Sequence, residues 1–318
     1  MAAPTRRRTR KPAGGSVRAA GSARGRRSTT AGGVRSGTVK AAGSLAVALV
    51  VLVVLGFGAY AWLRDQHVTA PEPGPERCVA TSAEASTAVT LSQAHYASII
   101  TGVAVRRGLP ARAASIALTT AYQETGIRNL SYGDRDSVGL FQQRPSQGWG
   151  TKAQLQDPYY ATGRFYDALV KVKGWRTGSI NDVAQKVQRS GFPDAYRDHE
   201  SDGRTLASTL SGERPGGFTC LERRGTAGRP AELVAELKKT FGTVAATRQG
   251  RVVTVRARTS ALAWAYAGYA VANSGGVGLV RADVAGRTWT TDAVTLPGWT
   301  GAAAGRTTGD PVVTLTLR

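Results

Sequence analysis

The sequence predicts a mainly α-helical domain and a small α+β domain, preceded by a disordered basic tail and one transmembrane helix. Three features predict this order: an arginine-rich start, an uncharged apolar run, and a change from helical to alternating apolar spacing after residue 230. The 318 residues suffice for two small domains and additional segments. The expected segments are the tail at 1–44, the transmembrane helix at 45–63, a proline-rich linker at 64–77, the helical domain at 78–220, a linker at 221–229 and the α+β domain at 230–318.

The tail at 1–44 carries much of the net charge of +21 and has no acidic residue. It contains almost no large apolar side chains, so it cannot bury enough surface to offset the entropy of ordering, and we expect disorder. Its positive charge favours anionic lipids of the inner membrane leaflet as a partner. Nucleic acid is the alternative, but without interleaved aromatics or a folded reading module we expect no nucleic-acid partner.

Residues 45–63 contain no charged side chain. This length is close to the ~20 apolar residues that a membrane-spanning helix needs. Tyr60 and Trp62 stand near its end, where interfacial aromatics are common. A cleaved signal peptide is the alternative, with a shorter apolar region. The pattern predicts a single-pass protein of the cell membrane, with a cytoplasmic N-terminus and the folded domains outside the cell.

The chain has two cysteines, Cys78 and Cys220, and they bracket the predicted helical domain. Outside the cell, one disulfide between them is expected, and two unrelated thiols are the alternative. The three histidines do not cluster with the cysteines at metal-ligand spacing. We therefore expect no metal site and no cofactor.

Apolar spacing predicts four helices and no strands in the region 78–220. The first begins near Ser92, the second opens at Pro110, the third includes Phe165 and the fourth begins at Ser179. The second ends near Glu124, which shares a helix face with alanines at positions 113, 117 and 121.

After residue 230 the pattern changes. Pro230 opens a helix, residues 251–258 alternate as a strand, residues 260–273 read as a helix, and strands are expected at 278–284, 288–291 and 312–317. Trp264, Trp289 and Trp299 suit either core packing or binding of a glycan or partner.

Glu124 is the residue best suited to chemistry. A carboxyl on the apolar side of a helix is desolvated, which raises its pKa. A carboxylic acid that stays protonated near neutral pH can protonate a glycosidic oxygen. The alternative is a solvent-facing residue at the helix C-terminus, although helix C-termini favour cations.

The loop after Glu124 offers further candidates. Gln142 and Gln143 carry amides suited to N-acetyl and hydroxyl groups of sugars. Asp134 and Asp136 are either a second carboxylate for water attack or solvated turn residues. Tyr160 suits either stacking on a sugar or a place in the core.

Two short stretches carry a resemblance to a known family. Gln123-Glu124-Thr125, followed by Ser-Val-Gly-Leu-Phe-Gln at 137–142, resembles the signature of lysozyme-like lytic transglycosylases of the soluble lytic type. In that family a Glu-Ser pair ends a helix and a Gly-Leu-Met-Gln stretch lines the cleft. The resemblance covers residues 90–205. Thr125 and Phe141 replace the family's Ser and Met, and its Ala-Tyr-Asn-Ala-Gly motif survives faintly at 187–191, with Arg189 in place of Asn.

The resemblance implies a lysozyme-like fold in which Glu124 is the only catalytic acid/base. It implies cleavage of peptidoglycan strands between N-acetylmuramic acid and N-acetylglucosamine, with closure of a 1,6-anhydro ring. The residues expected to contact the glycan are Thr125, Gly139, Leu140, Phe141, Gln142, Gln143 and Tyr160. Two alternatives remain at this point: a lysozyme-type hydrolase that uses a second Asp, and a non-catalytic cell-wall-binding or assembly protein on the same fold.

Overall fold

The computed structural model describes residues 50–58, 74–301 and 311–318. The predicted tail at 1–44 and most of the linker at 64–77 lie outside these residues. Residues Glu72–Arg318 form one compact unit. The unit before it, Met1–Pro71, is described only at 50–58.

The prediction of a transmembrane helix at 45–63 is wrong. Helix α1 is described over residues 50–58, and no helix of the described ranges is long and apolar enough to cross a membrane. Residues 45–49 and 59–63 of the predicted span lie outside the described residues. The prediction of a single-pass location, with a cytoplasmic N-terminus and extracellular domains, depended on this helix and is wrong as well.

The prediction of a mainly α-helical first domain is also wrong. Helices hold 46% and strands 18% of the described residues, and the strands form two antiparallel sheets. The first sheet comes from the region in which no strand was expected. Its strands are β1 (Arg77–Thr81), β2 (Ser86–Val89) and β3 (Phe218–Leu221), in the order β2-β1-β3. These strands are held by antiparallel pairing along the sheet, and β1 pairs with β3 across 142 positions, which is beyond any local stretch of sequence.

The predicted disulfide between Cys78 and Cys220 is confirmed. The two cysteines face each other as paired residues of β1 and β3. The bond therefore closes the region at the strand pair where its two ends meet.

Six helices lie between β2 and β3, and four of them correspond to the predicted ones. They are α2 (Leu91–Arg106), α3 (Ala111–Thr125), α4 (Lys152–Gln156), α5 (Pro158–Leu169), α6 (Ile180–Gln188) and α7 (Glu200–Leu210). Helices α4 and α7 were not predicted from the sequence. The hydroxyl of Thr90, just before the expected helix start at Ser92, caps α2 by accepting from the Gln93 amide, and Ser179 caps α6 as predicted.

Helix α3 is the centre of this region, with α2, α5, α6 and α7 packed around it. Its alanines at 113, 117 and 121 are fully buried. The apolar face predicted from the sequence thus lies in the core, and Glu124 stands at the C-terminal end of that face.

The remaining elements build the second sheet and its helices. They are α8 (Pro230–Phe241), β4 (Ala245–Gln249), β5 (Val252–Arg256), α9 (Ser260–Ala272), α10 (Ser274–Val277), β6 (Leu279–Val284), β7 (Arg287–Thr290) and β8 (Val312–Leu317). The strand order is β4-β5-β8-β6-β7, and α9 packs between this sheet and α2. Trp264, Trp289 and Trp299 are buried, which supports the core reading of these side chains.

Candidate active site

Glu124 is held by two neighbours that are distant in sequence. Its Oε1 accepts a hydrogen bond of 2.7 Å from the Tyr196 hydroxyl and one of 3.2 Å from Nε2 of Gln188. Gln188 is the last residue of α6, and Tyr196 precedes the 3-10 turn that leads into α7. The half-buried carboxyl is therefore fixed by three segments: the end of α3, the end of α6 and the segment before α7.

The environment of Glu124 favours its protonated form. Burial raises the pKa of the Glu124 carboxyl, and the hydrogen bonds from Tyr196 and Gln188 counter this only in part. A carboxyl with a raised pKa keeps its proton to higher pH than an ordinary glutamate does. This arrangement suits a proton donor.

Thr125 is a positioning residue. Its side chain is buried, and its hydroxyl lies 3.0 Å from the carbonyl oxygens of both Ala121 and Leu140. The same oxygen accepts a 3.1 Å hydrogen bond from the Arg128 amide. Thr125 thus ties the end of α3 to the following loop, and its hydroxyl is engaged within the protein.

The stretch 138–143 turns back on itself beside Glu124. Val138 and Gln143 exchange backbone hydrogen bonds of 3.0 and 3.1 Å. Leu140 and Phe141 are fully buried, and the Phe141 ring stacks on Phe165 at 4.7 Å. Their side chains belong to the core, whereas the Phe141 carbonyl reaches the site by accepting a 2.7 Å hydrogen bond from Gln188.

The predicted glycan-binding side chains differ in their access to solvent. Gln143 is 2% exposed, and its Nε2 donates to the Ala161 carbonyl at 3.3 Å. Gln142 is half-buried and donates to the Tyr132 carbonyl at 3.2 Å. Tyr160, also half-buried, donates to the Trp149 carbonyl at 3.4 Å. Gln142 and Tyr160 are thus partly accessible, whereas Gln143 is enclosed.

Gly139 allows the loop to pass close to α4. Its φ is +82°, and a Cβ built there would lie 2.4 Å from the Leu155 carbonyl oxygen. The Gly139 amide donates to the Leu130 carbonyl at 2.7 Å. Gly139 therefore shapes the loop through its backbone.

Neither candidate second carboxylate shares a hydrogen-bond partner with Glu124. Asp136 accepts from Nε of Arg144 at 2.8 Å and from the amide and hydroxyl of Ser146 at 2.7 and 3.0 Å. These contacts, Arg144 first, hold the pKa of Asp136 well below its usual range. The Asp134 side chain is 89% exposed, with Arg135 at 3.8 Å as its ion-pair partner. Both aspartates fit the turn-forming alternative.

The sequence reading did not single out the two partners of Glu124. Gln188 stood inside the faint family motif at 187–191, but its position had no assigned role. Tyr196 is an isolated aromatic in a polar segment, and the structure buries it completely. Burial of this tyrosine follows from the packing of α6 and α7 against α3, so the local sequence does not predict it.

Backbone strain is concentrated in the loops next to Glu124. Of the five non-glycine residues with positive φ in the described chain, four stand in the segments that follow α3 and α6. They are Ile127 (54°), Arg135 (55°), Gln142 (46°) and Arg189 (53°). Such conformations cost about 1–3 kcal/mol each and are common at functional sites.

Two aromatic side chains are exposed on the same two segments. Tyr132 is 69% exposed in the loop after α3, and Phe192 is 75% exposed between Gln188 and Tyr196. Exposed aromatic rings are suitable surfaces for the faces of sugar rings. The described residues contain no group of three or more His, Cys, Asp or Glu that could hold a metal ion.

A scan against protein-family models finds no match, and a search of curated proteins finds no significant relative.

Proposed function

We propose that the chain cleaves peptidoglycan glycan strands between N-acetylmuramic acid and N-acetylglucosamine, with Glu124 as the single general acid/base. One observation carries the proposal: a half-buried carboxyl of raised pKa, fixed by Tyr196 and Gln188. The flanking motif residues at 137–142 add the resemblance to lytic transglycosylases.

In the proposed reaction Glu124 first donates its proton to the glycosidic oxygen, and the bond to the muramic C1 breaks. The Glu124 carboxylate then accepts the proton of the muramic 6-hydroxyl as its oxygen bonds to C1. The products are a strand that ends in a 1,6-anhydro ring and a strand with a free 4-hydroxyl. No water is consumed, and Glu124 ends protonated again.

The contacts of Asp134 and Asp136 favour this route over hydrolysis. A hydrolase with two carboxylates needs the second one facing the acid across the bond. Asp136 is occupied by Arg144 and Ser146, and Asp134 extends into solvent beside Arg135. Because neither candidate aspartate faces Glu124, the substrate's own hydroxyl is the better nucleophile in the proposed reaction.

The test is mass spectrometry of the products after incubation of the full-length chain with purified peptidoglycan. We expect 1,6-anhydro-muropeptides, and a decrease of at least about 100-fold in their rate of formation for Glu124→Gln. Glu84→Gln is the matched control, because it makes the same change at an exposed carboxylate in the connection between β1 and β2.

Each other outcome is informative. Reducing-end products would replace the lyase with a hydrolase. Equal product formation by wild type and Glu124→Gln would remove Glu124 from the reaction. An absence of products with retained glycan binding would leave a non-catalytic wall-binding protein.

A further inference from the structure

A cavity of about 580 Å³ has Gln188, a hydrogen-bond partner of Glu124, in its wall. Its walls come from the end of the 3-10 turn Pro145–Gln147 and the residues after it, from α5 and the residues after it, and from the C-terminal end of α6 with Arg189. Gln188 is part of this wall and also donates to Glu124, although Glu124 itself does not line the cavity. Gln188 therefore connects the cavity wall to the proposed catalytic carboxyl through one hydrogen bond.

The cavity wall is strongly cationic. It carries the side chains of Arg164, Lys171, Lys186 and Arg189, and Asp167 is the acidic residue among those that line it. Asp167 is already engaged, because Arg107 lies 2.6 Å from its Oδ1 and Arg164 lies 3.8 Å from its Oδ2. We refer to this cavity as the basic groove.

Three of these cations have no ion-pair partner among the described residues. In the described part of the chain, no carboxylate oxygen lies within 4.0 Å of the charged nitrogens of Lys171, Lys186 or Arg189. Asp182, one helical turn before Lys186, experiences its charge only at longer range.

The preference of helix C-termini for cations explains why each of these residues is basic, but not why all of them line the same cavity. Lys186 is in the last turn of α6, Arg189 follows that helix, and Lys171 follows α5, so each is favourable at a helix C-terminus. That preference does not require the two helix ends to place their cations around one cavity. Like charges brought together repel each other, and an anion in the groove would relieve that repulsion.

The groove also has apolar walls. Trp149, Ala168 and Val172 line it beside the cations. Arg164 holds the Trp149 segment in place, because its Nε donates to the Trp149 carbonyl at 3.1 Å and its Nη2 to the Gly148 carbonyl at 3.3 Å. An occupant with carboxylates and short apolar side chains matches both kinds of surface.

We infer that the basic groove binds the carboxylates of the peptide stem of peptidoglycan. This inference rests on the proposed function, since the stem is attached to the muramic residue whose bond Glu124 would break. Gln188 belongs to both the groove wall and the Glu124 site, so we infer that the sugar lies at Glu124 and its stem in the adjoining groove. The groove then favours peptide-bearing strands over bare ones.

The test compares two soluble ligands by calorimetric titration of the full-length Glu124→Gln protein: a disaccharide with a peptide stem, and the same disaccharide without it. We expect the peptide-bearing ligand to bind more tightly than the bare disaccharide. In the Lys171→Gln, Lys186→Gln double variant, we expect the ratio of the two affinities to decrease about tenfold. The advantage also decreases at high salt, because the cations are accessible to solvent. Lys173→Gln is the matched control, since it removes a nearby exposed charge that does not line the groove.

Equal affinity for the two ligands would overturn the inference, as would an advantage that persists in the double variant. A soluble poly(glycerol phosphate) is added in a third arm. If it binds more tightly than the peptide-bearing disaccharide and loses more affinity in the double variant, a phosphate polymer occupies the groove and the peptide assignment is wrong. Because this assay measures binding, a protein that forms no cleavage products can still confirm the groove, and an active enzyme can still fail it.

Discussion

The hydrogen bond from Tyr196 to Glu124 connects a buried phenol to the carboxyl proposed to donate the proton. A hydrogen bond to a charged group contributes about 1.5–3 kcal/mol, and this one stabilises the carboxylate over the acid. It therefore lowers a pKa that burial has raised. Tyr196 adjusts the pH range in which Glu124 carries a proton.

Removal of that hydroxyl gives the first prediction at the residue scale. In Tyr196→Phe the carboxylate loses a donor, so the pKa of Glu124 rises further and the acid stays protonated to higher pH. We expect the alkaline limb of the pH profile of kcat/KM to move to higher pH. Tyr166→Phe is the control, because it removes a buried hydroxyl that donates to the Ile100 carbonyl at 2.9 Å, away from Glu124. A limb that stays in place or moves to lower pH would contradict the role of Tyr196.

Thr125 gives a second prediction at this scale. Thr125→Val keeps the shape of the side chain but leaves the Arg128 amide and the Leu140 carbonyl without the hydroxyl. We expect the free energy of unfolding to decrease by about 1–3 kcal/mol, because buried polar groups lose their partner. Thr125→Ser keeps the hydroxyl that the resembled family also carries, and we expect it to cost less. Denaturant unfolding of both variants measures the difference, and equal stability would refute the role of the hydroxyl.

The loop between α3 and α4 depends on a close approach of its backbone at Gly139 to the backbone of α4 at Leu155. Gly139 combines a positive φ with a distance of only 2.4 Å from the point where a Cβ would lie to the Leu155 carbonyl oxygen. An L-residue meets two penalties there, a left-handed backbone and a steric clash. Without this approach, the loop that brings the Phe141 carbonyl to Gln188 would be displaced.

A pair of glycine variants separates the two penalties. Gly174 has a φ of +77°, but no heavy atom lies within 4 Å of its Cβ position. We expect Gly174→Ala to lower the free energy of unfolding by about 1–2 kcal/mol for the backbone conformation alone. Gly139→Ala should lower it by more, because the Leu155 carbonyl must also move. Equal losses in thermal or denaturant unfolding would show that the loop tolerates the added methyl.

Elements were predictable from the sequence where the local pattern of side chains identified them. The face of α3 with its alanines at 113, 117 and 121 gave a clear helical period, and its burial is complete. Strand β1 has five residues and β2 has four, and both are held by pairing along the first sheet. That sheet also joins residues across 142 positions at Cys78 and Cys220, and no local window contains such information.

At the scale of the whole molecule, close packing joins the helical region to the elements after residue 230. A Cβ at Gly102 of α2 would lie 2.2 Å from Cγ2 of Thr240 in α8. The Tyr159 hydroxyl of α5 donates to Glu236 of α8 at 3.1 Å, and Arg106 donates to the Lys239 carbonyl at 2.9 Å. These contacts make Glu72–Arg318 one compact unit.

The disulfide gives a prediction at this scale. It links residues separated by 142 positions and restricts the unfolded chain strongly. In the chain-entropy model, we expect the Cys78→Ala, Cys220→Ala double variant to lose about 4–5 kcal/mol of unfolding free energy. Guanidinium unfolding of oxidised wild type, reduced wild type and the double variant measures it. Unchanged midpoints after reduction would show that the pairing of β1 with β3 suffices without the bond.

The central helix, the alanine face that buries it, the carboxyl at its end and the cysteine pair could all be predicted from the sequence alone. These features depend on residue type and on spacings of three or four positions, which a linear chain displays directly. The surroundings of that carboxyl are set by how the helices pack against one another. Gln188 and Tyr196 reach Glu124 from 64 and 72 residues away, and the cations of α5 and α6 meet at one groove, because packing of whole helices sets distances that local spacing does not encode.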